Sequence, residues 1–77
     1  MKRTKVLSSN IIAIGYEDKQ HMLYVTFSSG SEYVYEHVSK NLYKDFIEAK
    51  SKGRFFGINI RKKYKGEKIR WVDLDSY

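Results

Sequence analysis

The chain predicts an α+β fold: a three-stranded antiparallel β-meander packed against one main helix, followed by a short basic helix and a C-terminal extension. Three observations lead there. Apolar residues alternate with a period of two through the first half, the period turns helical after Ser39, and 77 residues without cysteine leave room for one core only. A chain this short removes only about 60% of its unfolded surface from water, and a single core of this size supplies roughly 3 to 5 kcal/mol. Stability must come from packing alone, and 42% apolar and 16% aromatic residues are a folding composition.

Ile12, Ile14 and Tyr16 share one parity, Leu23, Val25 and Phe27 another, and Tyr33 and Tyr35 flank Val34. Each run is rich in β-branched or aromatic residues, which predicts three strands. Glu17-Asp18-Lys19-Gln20 is the polar connection between the first two. Ser28-Ser29-Gly30 separates the second pair, and its effective length decides which way the tyrosines point. As a three-residue loop with Gly30 left-handed, it sets Val25 opposite Tyr33 and Leu23 opposite Tyr35, all on the apolar face. A two-residue loop would set Tyr24 opposite Tyr35 and turn every side chain over. Glycine suits the last position of the longer loop, which is therefore favoured.

From Ser39 to Ser51 the spacing predicts a helix, with Leu42, Phe46 and Ala49 on one stripe and Tyr43 and Ile47 beside it. Ser39 is its expected N-cap and Gly53 its expected C-terminal stop. Arg54 to Lys65 reads as a second, basic helix with Phe56, Ile60 and Tyr64 inward, although Phe56, Ile58 and Ile60 alternate equally well as a strand. Gly57 weakens that helix by about 1 kcal/mol relative to alanine. Ile69 to Leu74 fits either an added edge strand or a docked tail. The whole chain, 1–77, is expected to be a single domain with its core at about 8–64 and an extension over 65–77.

The charge is uneven. The total is +6, yet between positions 50 and 70 nine basic side chains face only Glu67, so the rest of the chain is slightly acidic. Such asymmetry points to a partner surface for a polyanion. The longest apolar run, Ile11 to Ile14, is far short of the roughly 20 residues a spanning helix needs, and no signal-peptide pattern follows Met1. The expectation is a cytoplasmic protein without membrane contact.

An enzyme is not expected. The serines cluster at turns and strand edges, and neither His21 nor His37 belongs to a nucleophile–base pattern. Asp18 and His21 are placed to meet across the first turn as a surface hydrogen bond. The glycines form no phosphate loop, and two isolated histidines without cysteine make no metal pattern, so no cofactor or metal is expected. Nucleic-acid binding uses both unusual features: cations neutralise phosphates and aromatics stack on unpaired bases. Lys50, Lys52, Arg54, Arg61, Lys62, Lys63 and Lys65 are the candidate phosphate contacts, and Tyr33, Tyr35, Phe55 and Tyr64 the candidate stacking platforms. In a domain this small, a sheet tyrosine such as Tyr33 or Tyr35 is more often a core side chain with its hydroxyl at the rim. Trp71, between Arg70 and Val72, either stacks or covers the sheet. The competing function is a protein-interaction or homodimerisation module using exposed aromatics and a sheet edge.

These elements arrive in an order with a known counterpart: Ser8-Ser9-Asn10-Ile11, Ile14-Gly15-Tyr16, Leu23-x-Val25-x-Phe27-x-x-Gly30-x-x-Tyr33-x-Tyr35, Tyr43-x-x-Phe46 and Ser51-Lys52-Gly53-Arg54-Phe55-Phe56. Over about residues 8 to 64 the chain resembles the KTSC domain, found at the C-terminus of some lysyl-tRNA synthetases and as a stand-alone small protein. Family members commonly carry proline where Ser39 stands and asparagine where Gly57 stands. The resemblance implies an association with RNA, through the family's attachment to a tRNA enzyme, and assigns no catalytic residue.

Overall fold

A computed structural model describes residues 2–76. The strands β1 (Arg3–Lys5), β2 (Ile11–Glu17), β3 (Met22–Phe27) and β4 (Ser31–Tyr35) are followed by helices α1 (Lys40–Glu48) and α2 (Lys52–Asn59), then β5 (Gly66–Trp71) and a 3-10 turn, Leu74–Ser76. All five strands are antiparallel neighbours in the order β1-β2-β3-β4-β5. The class is α+β as expected, but the sheet has five strands rather than three. β1 is three polar residues with no apolar alternation to betray it, and β5, the extension, carries its alternation among charges.

The β3–β4 hairpin has the longer loop. Leu23 opposes Tyr35 and Val25 opposes Tyr33, the Gly30 N–H donates to the Phe27 carbonyl at 2.9 Å, and Gly30 is left-handed at φ 98°. Tyr16 and Leu23 are cross-strand partners, as are Ile14 and Val25, so these apolar residues share one face with Tyr33 and Tyr35. A bulge between Ile11 and Ala13 breaks the parity of β2. It puts Ile11 in the core, with Ile12 only partly covered, where strict alternation predicts Ile12 inward.

Both helices cover this face. Tyr43 of α1 stacks on Tyr16 at 4.8 Å, Phe46 is wholly buried, and Phe56 of α2 meets Phe27 and Tyr35 edge-on at 5.3 and 5.6 Å. Ser39 caps α1, accepting from the Leu42 N–H at 3.1 Å. Gly53 does not end this helix. Ala49 turns extended, Lys52 Nζ donates to its carbonyl at 3.0 Å, and Ser51 then caps α2, accepting from the Arg54 N–H at 3.4 Å. Gly53 lies inside the first turn of α2, against Asn10.

The second helix is therefore shorter than the predicted Arg54 to Lys65. After Asn59 the chain tightens into turns, with the Phe56 carbonyl accepting from both Ile60 and Arg61. Phe56 and Ile60 do face the core, but the cations after Ile60 no longer follow a helical arc. β5 then docks on β4, and Gly66 is required there because a Cβ at this position would enter the Tyr35 ring. Ile69 is unmatched between the Glu32–Arg70 and Tyr33–Lys68 pairs, a bulge in the edge strand.

The opposite face carries a polar bracket. Glu32 is wholly buried there and accepts from Arg3 Nε at 2.6 Å and Nη2 at 3.1 Å, from Arg70 Nε at 2.8 Å and from Thr26 Oγ1 at 2.9 Å. Arg3 reaches it from β1, where it pairs with Gly15, and its guanidinium lies 5.7 Å from the centre of the Tyr24 ring. Burial pushes the Glu32 carboxyl up, but the hydrogen bonds from Arg3, Arg70 and Thr26, with the charge of Arg3, outweigh it and hold the group below its usual range. Elsewhere on the surface, Asp18 pairs with Lys40 at 3.3 Å and not with His21. No helix among the described residues is long and apolar enough to cross a membrane.

Candidate functional site

The helix layer does not reach across the whole sheet. Beyond α2 it leaves a groove of about 730 Å³ between that helix, the β3–β4 hairpin and the start of β5. Its aromatic lining comes from Phe27, Tyr33, Tyr35, Phe56 and Tyr64, and its hydroxyl rim from Ser28, Ser29 and Ser31. α2 contributes Gly53 and Gly57, one turn apart on the same side. A Cβ at position 57 would meet nothing within 4 Å, so glycine here widens the opening. Arg61, a further turn along, lines the same groove.

The rings inside form a connected cluster. Phe27 meets Tyr33 edge-on at 5.6 Å, and Tyr33 lies nearly parallel to Tyr35 at 6.4 Å. Tyr33 and Tyr64 are half-buried and present part of their surface to the groove. Tyr35 is only 4% exposed, so it is a core side chain and not a free stacking platform as expected. Burial, with a smaller contribution from Tyr33, pushes the Tyr35 phenol up to about 12, and the Arg61 charge opposes them.

Phe55 also departs from expectation. Its ring stacks on Phe46 at 5.6 Å on another side of α2, beside a shallow depression with Arg54 and Ile58, away from the aromatic groove. Helix periodicity places Phe55 and Phe56 about 100° apart, and α2 turns Phe56 inward over the hairpin.

The predicted cations divide into groups. Lys50, Lys52 and Arg54 line a hollow of about 320 Å³ with Leu7, Ser8 and Ser9, and it adjoins the groove through Asn10 and Gly53, which line both. Arg61, Lys62 and Lys63 follow the other end of α2, about 12 Å away by helical rise, and all three are exposed. Lys65 lines a separate hollow with Glu36 and Glu67. Among the described residues none of these seven is ion-paired to a carboxylate. Within the C-terminal charge cluster, Arg70 is so neutralised, by Glu32.

Sequence reasoning missed Phe27 and Phe56 as groove residues, because both read simply as core, and missed the Gly53–Gly57 wall. The four-residue spacing of Gly53, Gly57 and Arg61 was the available signal. No cluster of three or more metal-ligating side chains occurs among the described residues.

Residues 7–64 match the KTSC domain family. The chain belongs to that family. Among similar proteins, an uncharacterised protein of Stutzerimonas stutzeri is 43% identical over 56 residues, covering 73% of this chain and 79% of its own. A protein of Tsukamurella paurometabola is 32% identical over 60 residues, covering 78% and 90%. The crystal structure of a KTSC domain protein from Yersinia pestis superposes with a TM-score of 0.86 at 38% identity, covering 90% of this chain and 97% of that one. The KTSC match ends at Tyr64, inside the groove lining, so β5 with Lys68 and Trp71 lies beyond it.

Proposed function

We propose that this KTSC chain is a non-enzymatic, cytoplasmic binding module for unpaired nucleic acid, RNA in the first instance. One observation carries the reading: an aromatic groove is lined by Arg61 and adjoined by a second hollow bearing Lys50, Lys52 and Arg54. Exposed parts of Tyr33 and Tyr64 offer flat apolar surface to a base, the serine hydroxyls offer hydrogen bonds to its edge, and the cations follow the phosphates on either side. The volume falls within the roughly 300 to 1,000 Å³ of small-ligand sites, enough for a single nucleotide.

The test is fluorescence anisotropy with labelled single-stranded RNA, single-stranded DNA and duplex at two salt concentrations. If about five cations contact phosphates, the logarithm of affinity falls against the logarithm of salt with a slope near −3.5, and a fourfold rise in salt weakens binding roughly a hundredfold. Replacing Arg61, Lys62 and Lys63 together by glutamine should remove most of the signal with the fold intact. Equal binding by the triple variant, or a preference for duplex, defeats the reading. Homodimerisation through β5 is the competing function, since Ile69 and Trp71 are exposed along that edge. The Ile69 bulge and the flanking Lys68 and Arg70 are, however, features that discourage edge pairing. Concentration-dependent dimers with no retention of nucleic acid would favour it instead.

A further inference from the structure

The only tryptophan of the chain, Trp71, is 64% exposed. Its position is fixed from both sides. It pairs with Ser31 in the β4–β5 register, and the next residue, Val72, donates its N–H to the Gly30 carbonyl at 2.7 Å. Ser31 lines the groove, and Lys68, opposite Tyr33, holds its ammonium 4.4 Å from the centre of the indole. Sheet alternation, with the Ile69 bulge restoring parity, puts Lys68 and Trp71 on the face that carries Tyr33 and Tyr35. Trp71 and Lys68 thus sit across from Ser31 and Tyr33, two residues of the groove, on the same sheet face and past the residues that the family model matches, with the Lys68 cation resting on the indole.

We infer that Trp71 and Lys68 form a second nucleotide subsite beside the groove, in which a base stacks on the indole and the Lys68 ammonium moves from the ring to the adjacent phosphate. The inference rests on the nucleic-acid reading above and extends it to the neighbouring nucleotide of the same strand. An exposed indole is the strongest stacking surface a protein offers, and an ammonium already held against it by cation–π attraction is placed for the phosphate that accompanies the base. The occupant is a single strand of polyanion bearing flat rings, because Lys68, Arg61 and the cations after α2 favour phosphate while the indole requires a base.

A single tryptophan makes the test direct. The probe is an oligouridylate about a dozen nucleotides long, and inorganic polyphosphate serves as a polyanion without bases. Oligouridylate is expected to quench Trp71 fluorescence with the same concentration dependence as the anisotropy of its labelled form, and polyphosphate, which can draw Lys68 from the indole but brings no base to stack on it, is expected to quench much less. Trp71→Leu should weaken the labelled oligonucleotide about fivefold to a hundredfold, with Trp71→Phe recovering most of the loss. Circular dichroism of both variants checks that the sheet is retained. Anisotropy binding with unchanged Trp71 fluorescence and an unchanged affinity in Trp71→Leu overturns this subsite and leaves the groove reading standing. Equal quenching by polyphosphate also overturns it, while absence of any anisotropy change overturns both.

Discussion

Glu32→Gln tests the reasoning about the polar face most severely. The carboxylate is wholly buried and accepts from two guanidinium groups and a hydroxyl. A glutamine offers one oxygen where the carboxylate offers two, and its amide nitrogen confronts donors. At least two charge-assisted hydrogen bonds are lost, each worth about 1.5 to 3 kcal/mol before discounting. The discount is substantial, since the Arg3 and Arg70 side chains keep 28% and 50% of their exposure and can turn to water. A net loss of about 2 to 3 kcal/mol remains, against the roughly 3 to 5 kcal/mol expected of so small a core. The melting temperature should fall by roughly 10 to 20 °C.

Urea denaturation at neutral pH, followed by circular dichroism, measures this. Acidification gives an independent check. The folded carboxyl lies below its ordinary 4.5, so its contribution is fully present above that unfolded value and disappears as pH falls through the folded one. The wild-type and glutamine curves should therefore converge in acid. A variant within about 0.5 kcal/mol of wild type at pH 7, or a gap that does not narrow in acid, would refute the bracket as a source of stability.

Two glycines should respond oppositely to alanine. Gly57→Ala meets nothing and should stabilise α2 by about 1 kcal/mol, whereas Gly66→Ala forces the Tyr35 ring aside and should cost about 1 to 3 kcal/mol, both read from urea midpoints. The Tyr35 phenol should ionise at about pH 12, read by ultraviolet difference absorbance against a Tyr35→Phe variant. Because its folded pKa lies above its ordinary 10.0, the unfolded chain releases this proton first, and stability should decline between about pH 10 and 12. A Tyr35→Phe variant should lose that alkaline slope.

Local chemistry was the legible part of the fold. Gly30 fixed the hairpin register and so the facing of Tyr33 and Tyr35, and the Ser39 hydroxyl marked the start of α1, because both act within a few residues of themselves. β1 and β5 were not recoverable by periodicity, since polar strands at a sheet edge leave no apolar alternation. The Ile11 bulge shifts a parity that no single-residue preference encodes. Glu32 finds its guanidinium partners 29 and 38 positions away, a separation at which composition carries no information. At the candidate site, Arg61, Tyr33 and Tyr64 were legible as cation and aromatics. Tyr35 and Phe55 were misplaced because exposure depends on how far α2 extends across the sheet.

The clasp between the first and last strands also sets an order on assembly. During synthesis Arg3 and Glu32 emerge well before Arg70, so the nascent sheet holds a carboxylate with one guanidinium until Arg70, the fifth residue of β5, arrives in place. Long-range closures of this kind are slow, because chain-loop entropy is lost before the contact is gained. β5, the last strand of this sheet in chain order, therefore acts as the latch of the domain, and before it docks, β4 is left as an edge open to intermolecular pairing.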